Sequence, residues 1–384
     1  MKAIVQDAYG SPNVLKLADI NKPEPGDNEV LVRVHAAGVD RGVWHLMTGL
    51  PYLARLAFGF RAPKTPVPGM DLAGVVEAVG GNVTRFQPGD EVFGIGKGTF
   101  AEYACAPEDK LAPKPEYLTF EQAASIAISG LTALQGLRDH GRVEPGQKVL
   151  IVGASGGVGT FAVQIAKAFG AEATGVCGSA KAEIVRSIVA DHVIDYTRED
   201  FAKGGHRYDV ILDIGGSSSL TRLRHALTPE GTLVLVGGEE GGRWLGIVAR
   251  LLRAHLLSPF LGQKLRTFVS RDQVSVGDED ADVLVRLIRH PSLRQGQLGA
   301  HVGTFLGPAE FASPTTYTSS PAIAGAPTFA AAGFTDSVAD RCARLGPPDR
   351  SPHWSPARRR RNPAEDRPGG PKAASRDERD ATWR

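Results

Sequence analysis

From Gln147 onward the chain alternates short continuous apolar runs with stretches whose apolar residues recur at helical spacing. A run that is apolar throughout suits a strand buried on both faces, and such strands separated by helices build a parallel sheet. The predicted strands are Lys148–Val152, Ala173–Cys177, His192–Asp195, Asp209–Ile214, Thr232–Val236 and Lys264–Ser270. Six of them complete a doubly wound α/β sheet. Between the first two, Val158, Ala162, Ile165, Ala166 and Phe169 share one helix face, and Gly170 supplies the stop.

Residues 1–125 read differently. Half-buried strands with alternating polarity, such as Glu29-Val30-Leu31-Val32-Arg33-Val34, are separated by Pro23-Glu24-Pro25-Gly26, Pro68-Gly69 and Pro88-Gly89-Asp90. That punctuation predicts an antiparallel β-rich barrel. Residues 126–290 hold the parallel sheet. Beyond them, residues 301–384 contain 11 of the 26 prolines but only five Ile, Leu or Val. Such a stretch buries too little apolar surface to offset its ordering entropy, so a disordered tail is expected over 291–384.

Composition narrows the function. The 384 residues, 42% hydrophobic and 22% charged, suffice for two ordinary domains. Lys and Arg total 44 against 42 acidic residues; 12 and nine of these lie in 301–384, which leaves 32 and 33 before it. A neutral body recruits neither nucleic acid nor a membrane surface. The run Arg358–Arg361 lies between Pro356 and Pro363 and reads as solvated. Cys105, Cys177 and Cys342 form no metal or disulfide pattern, as in a reduced, cytoplasmic protein. Neither the first residues nor Trp244–Leu261, interrupted by Arg250, Arg253 and His255, suits a leader or a membrane span.

The sharpest motif is Gly153-Ala154-Ser155-Gly156-Gly157-Val158-Gly159, between the first strand and its helix. It predicts a Rossmann phosphate cradle, with Gly153 for the turn, Gly156 and Gly157 for approach to a pyrophosphate, and Gly159 for helix–strand packing. The second strand ends Cys177-Gly178-Ser179-Ala180-Lys181 without a carboxylate. Ser179 can donate to a 2′-phosphate and Lys181 can neutralise it, so NADPH is favoured over NADH. Alternatively Ser179 caps the next helix and Lys181 lies on its solvated first turn. Cys177 reads as a small buried hydrophobe with no catalytic role.

With Val30–Val39, Pro68–Val76, Pro88–Gly94, Ser129–Ala133, the glycine loop and Leu235-Val236-Gly237, residues 1–290 resemble the medium-chain dehydrogenase/reductase superfamily, in its zinc-free, quinone-oxidoreductase-like group. The resemblance implies a GroES-like barrel before the Rossmann domain. It also implies a cofactor site of Thr132, Ser155, Gly156, Gly157, Val158, Ser179, Lys181, Tyr196, Gly215 and Gly237. Zinc-dependent relatives place Cys and His where this chain has Asp40 and Met70, a pair that makes no Zn²⁺ site, and His35 and His45 read as scaffold. Without a Lewis acid, hydride transfer from NADPH to a quinone or an α,β-unsaturated carbonyl is the implied chemistry. Alcohol or carbonyl oxidoreduction, and cofactor binding without catalysis, are the rivals.

On the substrate side Gly38-Val39-Asp40-Arg41-Gly42-Val43-Trp44 replaces the relatives' Gly-Val-Asn-Pro-x-Asp-Trp. Asp40 either relays a proton or holds the loop by an Asx turn. Trp44 and Tyr52 either wall a planar substrate or belong to the core. Homodimers joined through sheet edges are common in the family. The family's closing Gly-Lys-Val-Val strand is not supplied here. A reading-frame shift near 290–300 would account for that and would leave the barrel with an unpaired edge.

Overall fold

Alternation along the first strands decides what the N-terminal sheet encloses. The computed structural model describes residues 1–237, 244, 248–267 and 303–306, all within the unit Met1–Pro347. Strands β1 (Lys2–Val5) and β2 (Lys16–Asp19) form an antiparallel pair. The long β3 (Glu29–Val39) leads through helices α1 (Arg41–Thr48) and α2 (Arg55–Phe58) to β4 (Asp71–Val79). Then come β5 (Glu91–Ile95), β6 (Tyr103–Pro107) and β7 (Leu111–Pro113). The sheet runs β3-β4-β5-β7, with β6 on the other edge of β3. Val30, Val32 and Val34 project into one core with Leu72, Val92 and Phe100, while Arg33 between them faces solvent.

Helices α3 (Phe120–Ala123) and α4 (Ala127–Gln135) join this sheet to the second one. A capping box between Thr119 and Gln122 starts α3. The second sheet comprises β8 (Lys148–Val152), β9 (Glu172–Cys177), β10 (His192–Asp195), β11 (Tyr208–Asp213), β12 (Leu227–Leu235) and β13 (Lys264–Thr267). Its helices are α5 (Gly157–Ala168), α6 (Ala182–Ser187), α7 (Leu220–Ala226) and α8 (Val248–Leu257). The order β10-β9-β8-β11-β12-β13, parallel throughout, is the doubly wound order expected. Along β8 the two faces divide the core: Val149 and Ile151 pack with α4 and α5, Leu150 and Val152 with α7 and α8. The predicted strands and crossover helix agree with these bounds to within one residue except at β12, which begins earlier, at Leu227; positions 268–270 lie outside the described residues.

One short strand lies within the stretch expected to be a tail. Gly303–Leu306 forms β14, antiparallel to Ala36–Val39 of β3. The stretch 291–384 is therefore not wholly without structure, and this part of β3 is not an unpaired edge. A four-residue strand draws its stability from ladder bonds to its neighbour rather than from its own apolar content, so composition does not reveal it. The rest of that stretch, the frame-shift junction expected near 290–300 and Arg358–Arg361 lie outside the described residues. Among the described residues no helix is long and apolar enough to cross a membrane.

Leu134 of α4 is fully buried in the core shared by both sheets. Leu134→Ala is expected to cost about 2–5 kcal/mol in urea unfolding, the usual range for a leucine cavity; a loss below about 1 kcal/mol would show that α4 is not a structural joint.

Candidate functional site

The carboxyl ends of β8, β11 and β12 meet at three glycines. Gly153 ends β8 with φ +91°, a conformation that side chains resist. A Cβ on Gly153 would lie 3.0 Å from the Gly215 nitrogen, and one on Gly237 would lie 1.8 Å from the Ile214 carbonyl oxygen. The Gly153 and Ala154 N–H groups donate to Val176 O at 3.1 and 3.0 Å, locking the turn to β9. Behind the turn a Cβ on Gly159 would stand 2.1 Å from Gly153 O, so α5 approaches as closely as only glycine allows.

Gly156 is the N-cap of α5 and supplies no capping side chain. The first N–H groups of a helix have no intrahelical acceptor and carry its positive dipole end. Ser155, Gly157 and Val158 are partly open and Gly156 is exposed, while Ala154 and Gly159 are sealed. A Cβ on Gly156 would meet only Gly153 O, at 3.5 Å. The turn thus presents uncapped amides to open space, an arrangement that fits a phosphate group.

At the end of β9, Ser179 does not cap α6. Its hydroxyl donates to Asp195 and lies 3.0 Å from Thr197 Oγ1. Asp195 also accepts from Thr197 N at 3.0 Å, and the bonds from Ser179 and Thr197 hold its carboxyl below the usual range. The β9 end carries no acid of its own, yet the fold brings Asp195 to it from β10. Asp195, Ser179, Glu183, Arg186, Arg198 and Glu199 line a cavity of about 250 Å³. Lys181 is exposed beside it, and Tyr196, itself 56% exposed, reaches over Gly178, whose Cβ would be 3.3 Å from the tyrosine oxygen. Thr132 is buried in α4, which packs on α5.

On the barrel side, Asp40 is the N-cap of α1 and accepts from Val43 N at 2.9 Å, the Asx arrangement. Trp44 packs against the barrel core and lies under the Arg41 guanidinium at 5.0 Å. Tyr52 meets Trp244 edge to face at 5.2 Å, and Leu53 N donates to Trp244 O at 3.3 Å. A barrel loop therefore touches the segment that follows β12. No direct contact joins Trp44 to Tyr52 among the ring contacts of the described residues. His45 Nδ1 is taken by Leu50 O at 2.9 Å; His35 stacks on Phe120 at 4.4 Å, and burial lowers its pKa. Cys177 is buried, and that burial raises its thiol pKa; burial pushes Cys105 up to about 11. Both are poor thiolates at neutral pH.

Sequence reasoning missed three acids. Asp195 follows the wrong strand for the usual signal. Asp213 is wholly buried; it accepts from Gly216 N at 3.1 Å and pairs with Arg250, which reaches across from α8 and also donates to Ser218 O at 2.7 Å. Asp71 lies within the quoted Pro68–Val76 motif, but its spacing carries no sign of a partner. At the point where zinc-dependent relatives hold metal, the donors are the carboxyl of Asp40 and the thioether of Met70, a poor set for Zn²⁺. Among the described residues no three His, Cys, Asp or Glu side chains converge as metal ligands.

A barrel joined to a doubly wound sheet, with a glycine cradle where the strands end, defines a two-domain oxidoreductase of the dehydrogenase/reductase class. Residues 26–116 match the Alcohol dehydrogenase GroES-like domain, and residues 157–255 match the Zinc-binding dehydrogenase family. The chain is 37% identical over 247 residues to a quinone oxidoreductase of Sus scrofa, covering 62% of this chain and 73% of that one. To a quinone oxidoreductase of Pseudomonas aeruginosa it is 35% identical over 274 residues, 68% and 82% of the two chains. The structure of Escherichia coli quinone oxidoreductase complexed with NADPH superposes with a TM-score of 0.64 at 26% identity, covering 79% of this chain and 91% of that one. The chain belongs to the medium-chain dehydrogenase/reductase superfamily, in its quinone-oxidoreductase-like group, and is an oxidoreductase of a small molecule.

Removing the Arg250 side chain leaves Asp213 buried without its cation. Arg250→Met is expected to destabilise by about 3–5 kcal/mol in denaturant unfolding, with much of the loss recovered by adding Asp213→Asn; a loss below about 1 kcal/mol in the single variant would show that the pair does not hold α8.

Proposed function

We propose that the protein is a zinc-independent, NADPH-dependent reductase of quinones or α,β-unsaturated carbonyls. The observation that carries the reading is the uncapped start of α5 beside Gly153, Gly215 and Gly237, with Lys181 and Tyr196 at the end of β9. Ser155, Gly157 and Val158 would hold the pyrophosphate through backbone N–H groups, and Gly156, whose own N–H donates to Gly153 O at 3.1 Å, would let it approach the turn closely. Ser179, Lys181 and Tyr196 would hold the 2′-phosphate, and Thr132, Gly215 and Gly237 the nicotinamide half. When bound, NADPH supplies a hydride.

The chain's own residues supply binding and exclusion. Trp44 and Tyr52 offer apolar walls with one polar tip each, a surface suited to a planar acceptor. Asp40 holds α1, which carries Trp44, through its bond to Val43. A quinone or enone takes up hydride without first losing a proton, which agrees with a donor set unsuited to Zn²⁺. Charge developing on the acceptor oxygen would be met by hydrogen-bond donors or water.

A second reading of coenzyme choice comes from Asp195. A carboxylate beside Ser179 accepts from a free ribose 2′-hydroxyl and repels a 2′-phosphate, so it favours NADH. Fluorescence titration separates the two. Lys181→Ala is expected to weaken NADPH about tenfold, equivalent to about 1.4 kcal/mol, with NADH nearly unchanged. Asp195→Asn is expected to tighten NADPH and weaken NADH. Equal loss of both coenzymes in Lys181→Ala would overturn the 2′-phosphate assignment. Coenzyme binding without NADPH oxidation by any quinone or enone would leave a non-catalytic binder.

A further inference from the structure

Two acids between the barrel and the cofactor-side helix form no ion pair with a Lys or Arg among the described residues. Asp71, the first residue of β4, is wholly buried, and its Oδ1 accepts from Ile128 N at 2.9 Å, at the start of α4. Asp40 keeps some residue surface, but its Oδ2 is sealed from solvent while Oδ1 accepts from Val43 N. Each acid therefore uses one oxygen on a backbone N–H and has a second, buried oxygen with no N–H or O–H partner of the ordinary kind. Those second oxygens are placed to bond to each other: a Cβ on Gly38, two residues before Asp40, would lie 3.0 Å from Asp71 Oδ2, and each carboxyl acts on the pKa of the other.

Two ionised carboxylates cannot make that bond, because each is an acceptor only. Packing keeps them together. A Cβ on Gly38 would lie 2.8 Å from Asp71 Cβ and 2.7 Å from Ala124 O, and one on Gly42 would lie 2.9 Å from Asp40 Oδ1. The His45 ring acts on Asp40, with its Nδ1 engaged with Leu50 O; the charge acting on Asp71 is that of Asp40 itself. We propose that Asp40 and Asp71 share a single proton, and that this acid–carboxylate bond clasps α1, the substrate-side helix, to α4, the helix of Thr132. Neither acid is a catalytic residue; both are positioning residues. The clasp stands on the geometry alone, and only its effect on turnover rests on the reductase reading.

Burial, and for Asp71 the neighbouring charge as well, pushes both carboxyls above the usual range, Asp71 well above it. The folded state therefore binds a proton that the unfolded chain has already released. Its stabilising effect is complete below the ordinary carboxylate range and is lost as pH rises toward the folded value.

The test uses the full chain and Asp40→Asn, which keeps the Val43 bond. Infrared difference spectra between wild type and Asp71→Asn near neutral pH should show one protonated carboxyl. From the ordinary carboxylate range upward, the folding constant of wild type should fall relative to Asp40→Asn by up to about tenfold per pH unit. Asp71→Asn, whose amide donates to Asp40, should remove the same dependence. If the clasp positions the site, NADPH-dependent turnover in wild type loses kcat/KM over that window while Asp40→Asn does not. Absence of a protonated carboxyl, equal pH dependence of stability in wild type and Asp40→Asn, or a stoichiometric metal lost in Asp40→Asn would each overturn the shared proton. A flat turnover profile alongside the expected stability difference would refute only the positioning role.

Discussion

The burial of α4 between two unlike sheets is the constraint on which the rest depends. Leu131 and Leu134 of α4, with Ile126 and Leu137 flanking it, lie in one core with Ala73 and Phe93 of the barrel, Val149 and Ile151 of the parallel sheet and Phe161 of α5. Apolar area removed from water on both sides of one short helix makes the domains a single cooperative body. Thr132 rides on that helix, and the start of α4 is tied to β4 through Asp71. The position of Thr132 therefore follows from packing before any polar contact is considered.

Buried acids are treated in two ways in this fold. Asp213 is matched by the Arg250 guanidinium, and that pair, with the bond from Arg250 to Ser218 O, ties α8 to the glycine loop at 215–218. Asp40 and Asp71 face each other, and each otherwise meets a backbone N–H. In a low-dielectric setting the first arrangement favours ionisation and the second opposes it. The two solutions sit one on each domain.

Most of the parallel sheet was legible because its strands are apolar on both faces and its connections are local. Val149 to Val152 could serve no other purpose, and the crossover helix is announced by its own periodicity and closed by Gly170, with φ +78°. The glycine turn was legible for the same reason: its geometry is set within seven residues. The aromatic pair was less so. Trp44 and Tyr52 lie eight positions apart, yet one packs on the barrel core and the other meets Trp244, nearly two hundred residues away.

Local patterning alone determined the strand order's raw material, the phosphate turn and the character of the two domains, since hydrophobic period and backbone conformation are properties of neighbouring residues. Tertiary structure alone decided which charges meet. Asp195 reaches Ser179 because β10 lies beside β9, Arg250 reaches Asp213 because α8 folds back over β11, and Asp40 finds Asp71 because β3 and β4 are paired. Electrostatic partners act across a few ångströms of space, whatever their separation along the chain, and composition carries no record of that distance. The strand at Gly303–Leu306 belongs with them: its bonds are to the backbone of β3, which any residues but proline could make.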